Sequence, residues 1–189
     1  MTYIKTRAKS GKSGSYKIVS FLVKPNKTGE PQIGDIPSGR YYKLTYKSKP
    51  IRTNTPKECS HLMTFVCMAR GLVLINGLKL GLMVEALLAK KEVTGIVVIE
   101  KSKDVLNLVA PEFKKEKRVK FVNADPFKHK SPKGEVYHCV WNDVWDHNIP
   151  DNLREIEKLH KKYKKKARYI EAWCQHSCEL MNERLQDSL

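Results

Sequence analysis

The sequence contains no apolar run long enough to cross a bilayer, and its opening "MTYIKTRAKSGKSGS" has no hydrophobic stretch of the signal-peptide kind. We therefore expect a soluble, cytoplasmic protein with no membrane partner. Cysteines are few and scattered: Cys59, Cys67, Cys139, Cys174 and Cys178 make an odd set of five. That number suits a reducing compartment better than a disulfide framework. Cys174 and Cys178 would share a helix face with His176 close by, but no second ligand pair has zinc spacing, so no metal site is expected. Acidic residues are also scarce, with 20 Asp and Glu against 36 Lys and Arg, a formal net charge of +16. Such an excess favours anionic partners (nucleic acid, nucleotides or acidic surfaces), unless it serves solubility alone. "GKS" at 11–13 is not a phosphate loop, because the glycine required five residues before Gly11 is replaced by Thr6.

What is present divides the 189 residues at about position 50. The basic residues 1–15 read as a mobile arm. "SYKIVSFLV" (15–23) and "RYYKLTYK" (40–47) read as strands, separated by a stretch crowded with turn formers. Residues 1–50 are thus expected to form a basic arm and a small β-hairpin or meander. "TPKE" (55–58) predicts a helix to about Ala69, with Thr55 and Glu58 as a capping box and Pro56 at the first position. From there strands and helices alternate. Strands are expected at 72–76, 95–100, 118–125, 136–143 and 167–173, and helices at 81–90, 102–110, 151–166 and 178–185. This alternation predicts an α/β fold over 51–189, Rossmann-like and doubly wound around a mainly parallel sheet.

In such sheets, ligands sit beyond the carboxyl ends of the strands. The sequence places "NGLKLG" (76–81) after the first of these strands, opening a helix whose amides can face a ligand. Glu100 ends the second strand, nineteen residues past Gly81, close to the spacing at which an acid meets a ribose diol. The third ends in Asn123-Ala124-Asp125 and the fourth in Asn142-Asp143-Val144-Trp145-Asp146.

"VLINGLKLGLMVEALL", "VVIEK", "VNADPF" and "VWNDVWD" together resemble the consecutive motifs of class I S-adenosylmethionine-dependent methyltransferases over residues 50–178. More narrowly, they are similar to the spermidine-synthase-like branch and its small phage and bacterial members. The resemblance implies S-adenosylmethionine as cofactor. It implies that Gly77 and Gly81 border the methionine moiety, that Glu100 binds the ribose hydroxyls and that Asp125 binds the adenine amino group. Asn76, Lys79, Lys101, Pro126 and Asn142 complete the implied cofactor set. "DVWD" matches the aspartate pair of spermidine synthases, which implies Asp143 as catalytic base with Asp146 beside it. Trp141 and Trp145 are expected either as a wall against the sulfonium or a flat acceptor, or as ordinary packing.

Three departures qualify the resemblance. Lys79 replaces the middle glycine of the usual loop. No residues match a polyamine tunnel. The antiparallel sixth and seventh strands of full-length class I enzymes are not expected. A methyltransferase with an unidentified acceptor is the leading reading, and an aminopropyltransferase of polyamine synthesis is the enzymatic alternative. The charge favours an anionic acceptor, nucleic acid included, over a polycation. The non-enzymatic alternative is a basic Rossmann-like domain that binds nucleic acid or protein, supported by "KKYKKK" (161–166), a run that equally reads as a solvated helix end; "FKKEKRVKF" (113–121) reads as a solvated loop. A homo-oligomer remains open.

Overall fold

The computed structural model describes residues 4–24 and 36–187. Two sheets account for the strands. The N-terminal one is an antiparallel meander of β1 (Gly11–Ser13), β2 (Tyr16–Val23), β3 (Gly39–Tyr46) and β4 (Lys49–Thr53) in sequence order. After helices α1 (Pro56–Ser60) and α2 (Met63–Met68) comes the main sheet. Its strands are β5 (Gly71–Asn76), β6 (Val93–Glu100), β7 (Val119–Asn123), β8 (Tyr137–Asn142) and β9 (Ala167–Ala172). All four pairings are parallel, in the order β7-β6-β5-β8-β9. Helices α3 (Leu82–Leu88), α4 (Lys103–Val109), α5 (Asn152–Tyr163) and α6 (Gln175–Gln186) follow β5, β6, β8 and β9. The doubly wound α/β fold expected from the alternation is the one observed.

The chemistry of the strands explains the order. β5 lies at the centre, and Val73, Leu74 and Ile75 are each almost wholly buried, as a strand covered on both faces requires. β7 forms an edge, with Lys120 exposed to solvent. The chain winds outward from β5 to β7 and then returns to β8 on the other side of β5, so the topological switch lies between β5 and β8. In α5, Ile156, Leu159 and Tyr163 are buried on one face, as their spacing predicts.

Several local expectations are corrected. Residues 4–15 are packed and do not form a free arm: Ile4 and Ala8 enter the core, and Arg7 Nη1 donates to Glu116 at 2.5 Å. Arg7 Nε also lies 3.1 Å from Glu85, and Ser13 Oγ donates to Asp104 at 2.7 Å. The helix expected over 55–69 is broken at His61–Leu62 into α1 and α2. Pro56 does open α1, but the capping box does not form. Thr55 Oγ1 instead meets Thr53 Oγ1 at 3.0 Å, and the Glu58 carboxylate is drawn toward Arg52. The last helix begins at Gln175, three residues before the expected start. Strand β4 was not anticipated. Residues 25–35 of the turn-rich stretch lie outside the described residues.

Candidate active site

Beyond the carboxyl ends of β5, β6, β7 and β8 opens a cleft of about 730 Å³, covered on one side by the N-terminal meander. Its floor begins with the turn after β5. Gly77 N–H donates to the Ile99 carbonyl at 2.8 Å, and Asp143 N–H donates to the Asn76 carbonyl at 2.7 Å. The turn is thereby stitched to both neighbouring strands. Gly77 has φ +96°, and a methyl group built there would lie 2.0 Å from the Asp143 carbonyl oxygen, so only glycine fits. Gly81 also requires glycine, with φ +74°, but for another reason: the added carbon would sit 2.9 Å from the Phe113 ring. Its bareness serves helix packing rather than ligand approach.

Glu100, at the end of β6, is 8% exposed. One carboxylate oxygen accepts from Leu78 N–H at 2.8 Å and the other from Ser102 N–H at 2.7 Å. Burial pushes its pKa up from the usual range, and the two backbone donors oppose that rise. Each oxygen retains an acceptor position. Asp125, after β7, accepts from Phe127 N–H at 2.9 Å, and Lys101 Nζ lies 3.6 Å from its other oxygen. Pro126 lines the same wall. Lys79 takes the left-handed conformation, φ +48°, and its ammonium donates to Asp146 at 2.6 Å on the cleft wall. The lysine therefore neither fills the cleft as a bare cation nor points away from it.

Asp143 lines the cleft but is not free: a buried guanidinium, Arg52 on β4, donates through Nη2 to its Oδ1. Nη2 also donates to the Trp145 carbonyl at 2.9 Å and Nη1 to the Ile51 carbonyl at 2.6 Å. The guanidinium carbon lies 3.3 Å from the centre of the Trp173 ring, the tightest cation–π contact in the described residues. Asp143 thus has one oxygen held by the meander, in a residue that lines the cleft.

Two residues of the implied cofactor set stand elsewhere. Asn76 and Asn142 are wholly buried partners across the β5–β8 register, with Asn76 Nδ2 donating to Asn142 Oδ1 at 2.8 Å. They lock the switch point and do not line the cleft. Both tryptophans are packing residues. Trp141 is 1% exposed against Phe65, with ring centres 5.2 Å apart, and Trp145 Nε1 donates to Glu155 at 2.8 Å.

The sequence reading missed Arg52, and it missed Tyr16 and Tyr46, whose rings are 4.9 Å apart on the meander side of the cleft. The only signal for them was the aromatic content of β2 and β3. Net charge does not report the sign of the cleft. Despite the net charge of +16, the lining carboxylates Glu100, Asp104, Asp125, Asp143, Asp146 and Glu155 face only Lys79 and Lys101 as lining cations. Globally basic, the molecule is locally acidic where a ligand would sit.

No family model matches the chain, and no curated protein matches it in sequence. Solved structures do. The plantazolicin methyltransferase BpumL, solved with a monoazolic desmethylPZN analog and SAH, is 15% identical over 58% of this chain and 39% of that chain, with a TM-score of 0.40. An S-adenosylmethionine-dependent methyltransferase from Clostridium acetobutylicum is 8% identical over 58% of this chain and 45% of that one, with a TM-score of 0.42. The CcbJ methyltransferase from Streptomyces caelestis is 15% identical over 59% and 47%, with a TM-score of 0.44. The chain therefore spans between 39% and 47% of these proteins' length. These three are methyltransferases, and the likeness to each is partial.

Proposed function

We propose that the cleft binds S-adenosylmethionine and that the protein transfers its methyl group to an acceptor. The observation that carries this reading is Glu100, a buried carboxylate between the Gly77 turn and Asp125. The residues fit the ligand. Glu100 keeps an acceptor position on each oxygen for a ribose diol, and Asp125 offers a carboxylate oxygen to an amino group. An acid-lined cleft suits a ligand carrying a sulfonium and an ammonium. When bound, S-adenosylmethionine supplies an electrophilic methyl carbon. The chain's own task is to hold an acceptor in line with it and to take the acceptor's proton. With Arg52 on one Asp143 oxygen, Asp143 orients an acceptor through its other oxygen. Asp146, whose side chain is 36% exposed and paired with Lys79, is the better placed proton acceptor.

Transfer of an aminopropyl group, the spermidine-synthase-like alternative, gains support from the same acidic lining. Net charge counted against a polycationic acceptor, but the cleft itself is acidic.

Thermal unfolding tests the cofactor. S-adenosylmethionine at one hundred times its Kd stabilises by about 2.7 kcal/mol, which is a rise of roughly 5–10 °C in Tm for a chain of this size. NAD is expected to give none. Lys79→Gly removes a left-handed lysine and its pair with Asp146, and is expected to change the ligand-induced rise little. A much larger rise in that variant would mean that the lysine obstructs the site, and no rise in the wild type would remove S-adenosylmethionine from the account.

A further inference from the structure

The basic residues excluded from the cleft gather on a face beside it. Lys120 extends from the edge strand β7, His129 comes from the β7–β8 connection with Lys128 and Lys130 beside it in sequence, Lys162 from the last turn of α5 and Lys166 from the turn after it. These segments are far apart in sequence, so the cluster is not a single solvated run of lysines. Their charges act on one another. Burial first, and then Lys162, Lys120 and Lys166, hold His129 below its usual value against the opposing pull of Glu135. Lys162 is lowered by burial and by Lys166, with Asp125 opposing. Glu135, the acid within this group, accepts from the Tyr137 hydroxyl. Among the described residues, no ion pair ties Lys120, Lys128, Lys130 or Lys166. Like charges that outnumber the acids near them cost stability, and a bound polyanion lowers that cost.

The face also adjoins the site. Lys162 Nζ donates to the Pro126 carbonyl at 2.5 Å, and Pro126 with Asp125 forms a wall of the cleft. A chain of phosphates on this face would therefore pass the cleft mouth. The acidic lining would repel the phosphates, while the Tyr16–Tyr46 pair offers flat rings to a base. We propose that the face formed by Lys120, Lys128, His129, Lys162 and Lys166 binds the phosphodiester backbone of a nucleic acid and presents its bases to the cleft. The presentation of a base as acceptor rests on the methyl-transfer reading; the binding of the backbone does not.

Fluorescence anisotropy with a labelled 20-nucleotide strand, single-stranded and duplex, DNA and RNA, tests the proposal as salt is varied. The triple variant Lys120→Gln, Lys128→Gln, Lys166→Gln is compared with Lys12→Gln, Lys57→Gln, Lys91→Gln, which removes the same charge from exposed positions outside the face. The face variant is expected to lose at least about tenfold in affinity near 0.1 M salt. Its log–log salt slope should become shallower by roughly 0.7–0.9 for each phosphate no longer neutralised, and the second variant should stay near wild type. Equal losses in the two variants, no wild-type binding to any of the four probes, or preferential binding to anionic phospholipid vesicles would each overturn it. Calorimetry with S-adenosylhomocysteine on the same variants separates this failure from failure of the cofactor reading, since none of the substituted lysines lines the cleft.

Discussion

Arg52→Met is expected to lower stability by about 3–5 kcal/mol, measured by urea unfolding at pH 7. The guanidinium side chain is 4% exposed and its partner Asp143 9%. Removing it strands the Asp143 carboxylate beside Glu58, whose own pKa burial already pushes up. It also strips the Trp145 and Ile51 carbonyls of donors and uncovers Trp173. Because the contact joins β4 to the end of β8, the meander that roofs the cleft should loosen with it. The pH dependence has a definite sign. A carboxyl whose folded pKa is raised contributes stability below its unfolded value, near 4.5 for Glu58, and loses that contribution as pH rises through the folded value. Without Arg52 to lower it, Glu58 rises further, so the deficit of Arg52→Met should shrink as pH falls from 7 toward 4.5. Adding Asp143→Leu should recover much of the loss, since two apolar residues replace a broken pair. A loss below about 1 kcal/mol, at the level of an exposed pair, would contradict the buried cluster.

Gly77→Ala is expected to cost about 3 kcal/mol or more, combining left-handed strain with an overpacked contact. The new methyl would meet a backbone carbonyl at 2.0 Å, which no side-chain rotation relieves. Gly134→Ala is the matched comparison: φ is +83°, but nothing lies within 4 Å, so strain alone of about 1–2 kcal/mol remains. The difference in unfolding free energy measures how tightly the β5 turn is clamped by β8. Equal costs would mean that the turn is free to shift and does not set the cleft floor.

The alternation of strands and helices was legible because burial on both faces leaves a readable signature: Val73, Leu74 and Ile75 of the central strand form an unbroken apolar run. That Glu100 and Asp125 line the cleft was legible because strand ends follow from the same pattern. Strand β4 was not, since "KPIRT" carries a proline and an arginine that only a tertiary partner explains. Arg52 then drew Glu58 away from the capping box, a competition that local sequence does not reveal. The resemblance implied Asn76 and Asn142 as ligand residues, yet register sets them side by side, and register is not written in either strand alone. Ile4 and Ala8 sat among basic residues and hid a buried segment. Net charge illustrates the same limit. Composition sums over the whole surface, whereas the fold gathers acids into the cleft and leaves all but Lys79 and Lys101 of the described lysines outside its lining.

The most direct measurement of the central claim is calorimetry with S-adenosylmethionine and S-adenosylhomocysteine on the wild type and on Glu100→Gln. Glutamine keeps the volume but loses the charge that would accept from both ribose hydroxyls. Hydrogen bonds to a charged acceptor are worth about 1.5–3 kcal/mol, so affinity should fall by roughly tenfold to a hundredfold. Circular dichroism should report the same fold in both proteins. Binding to the wild type with that loss in the variant is the predicted result. Absence of binding to the wild type, or equal affinity in Glu100→Gln, would contradict the assignment of this cleft to S-adenosylmethionine.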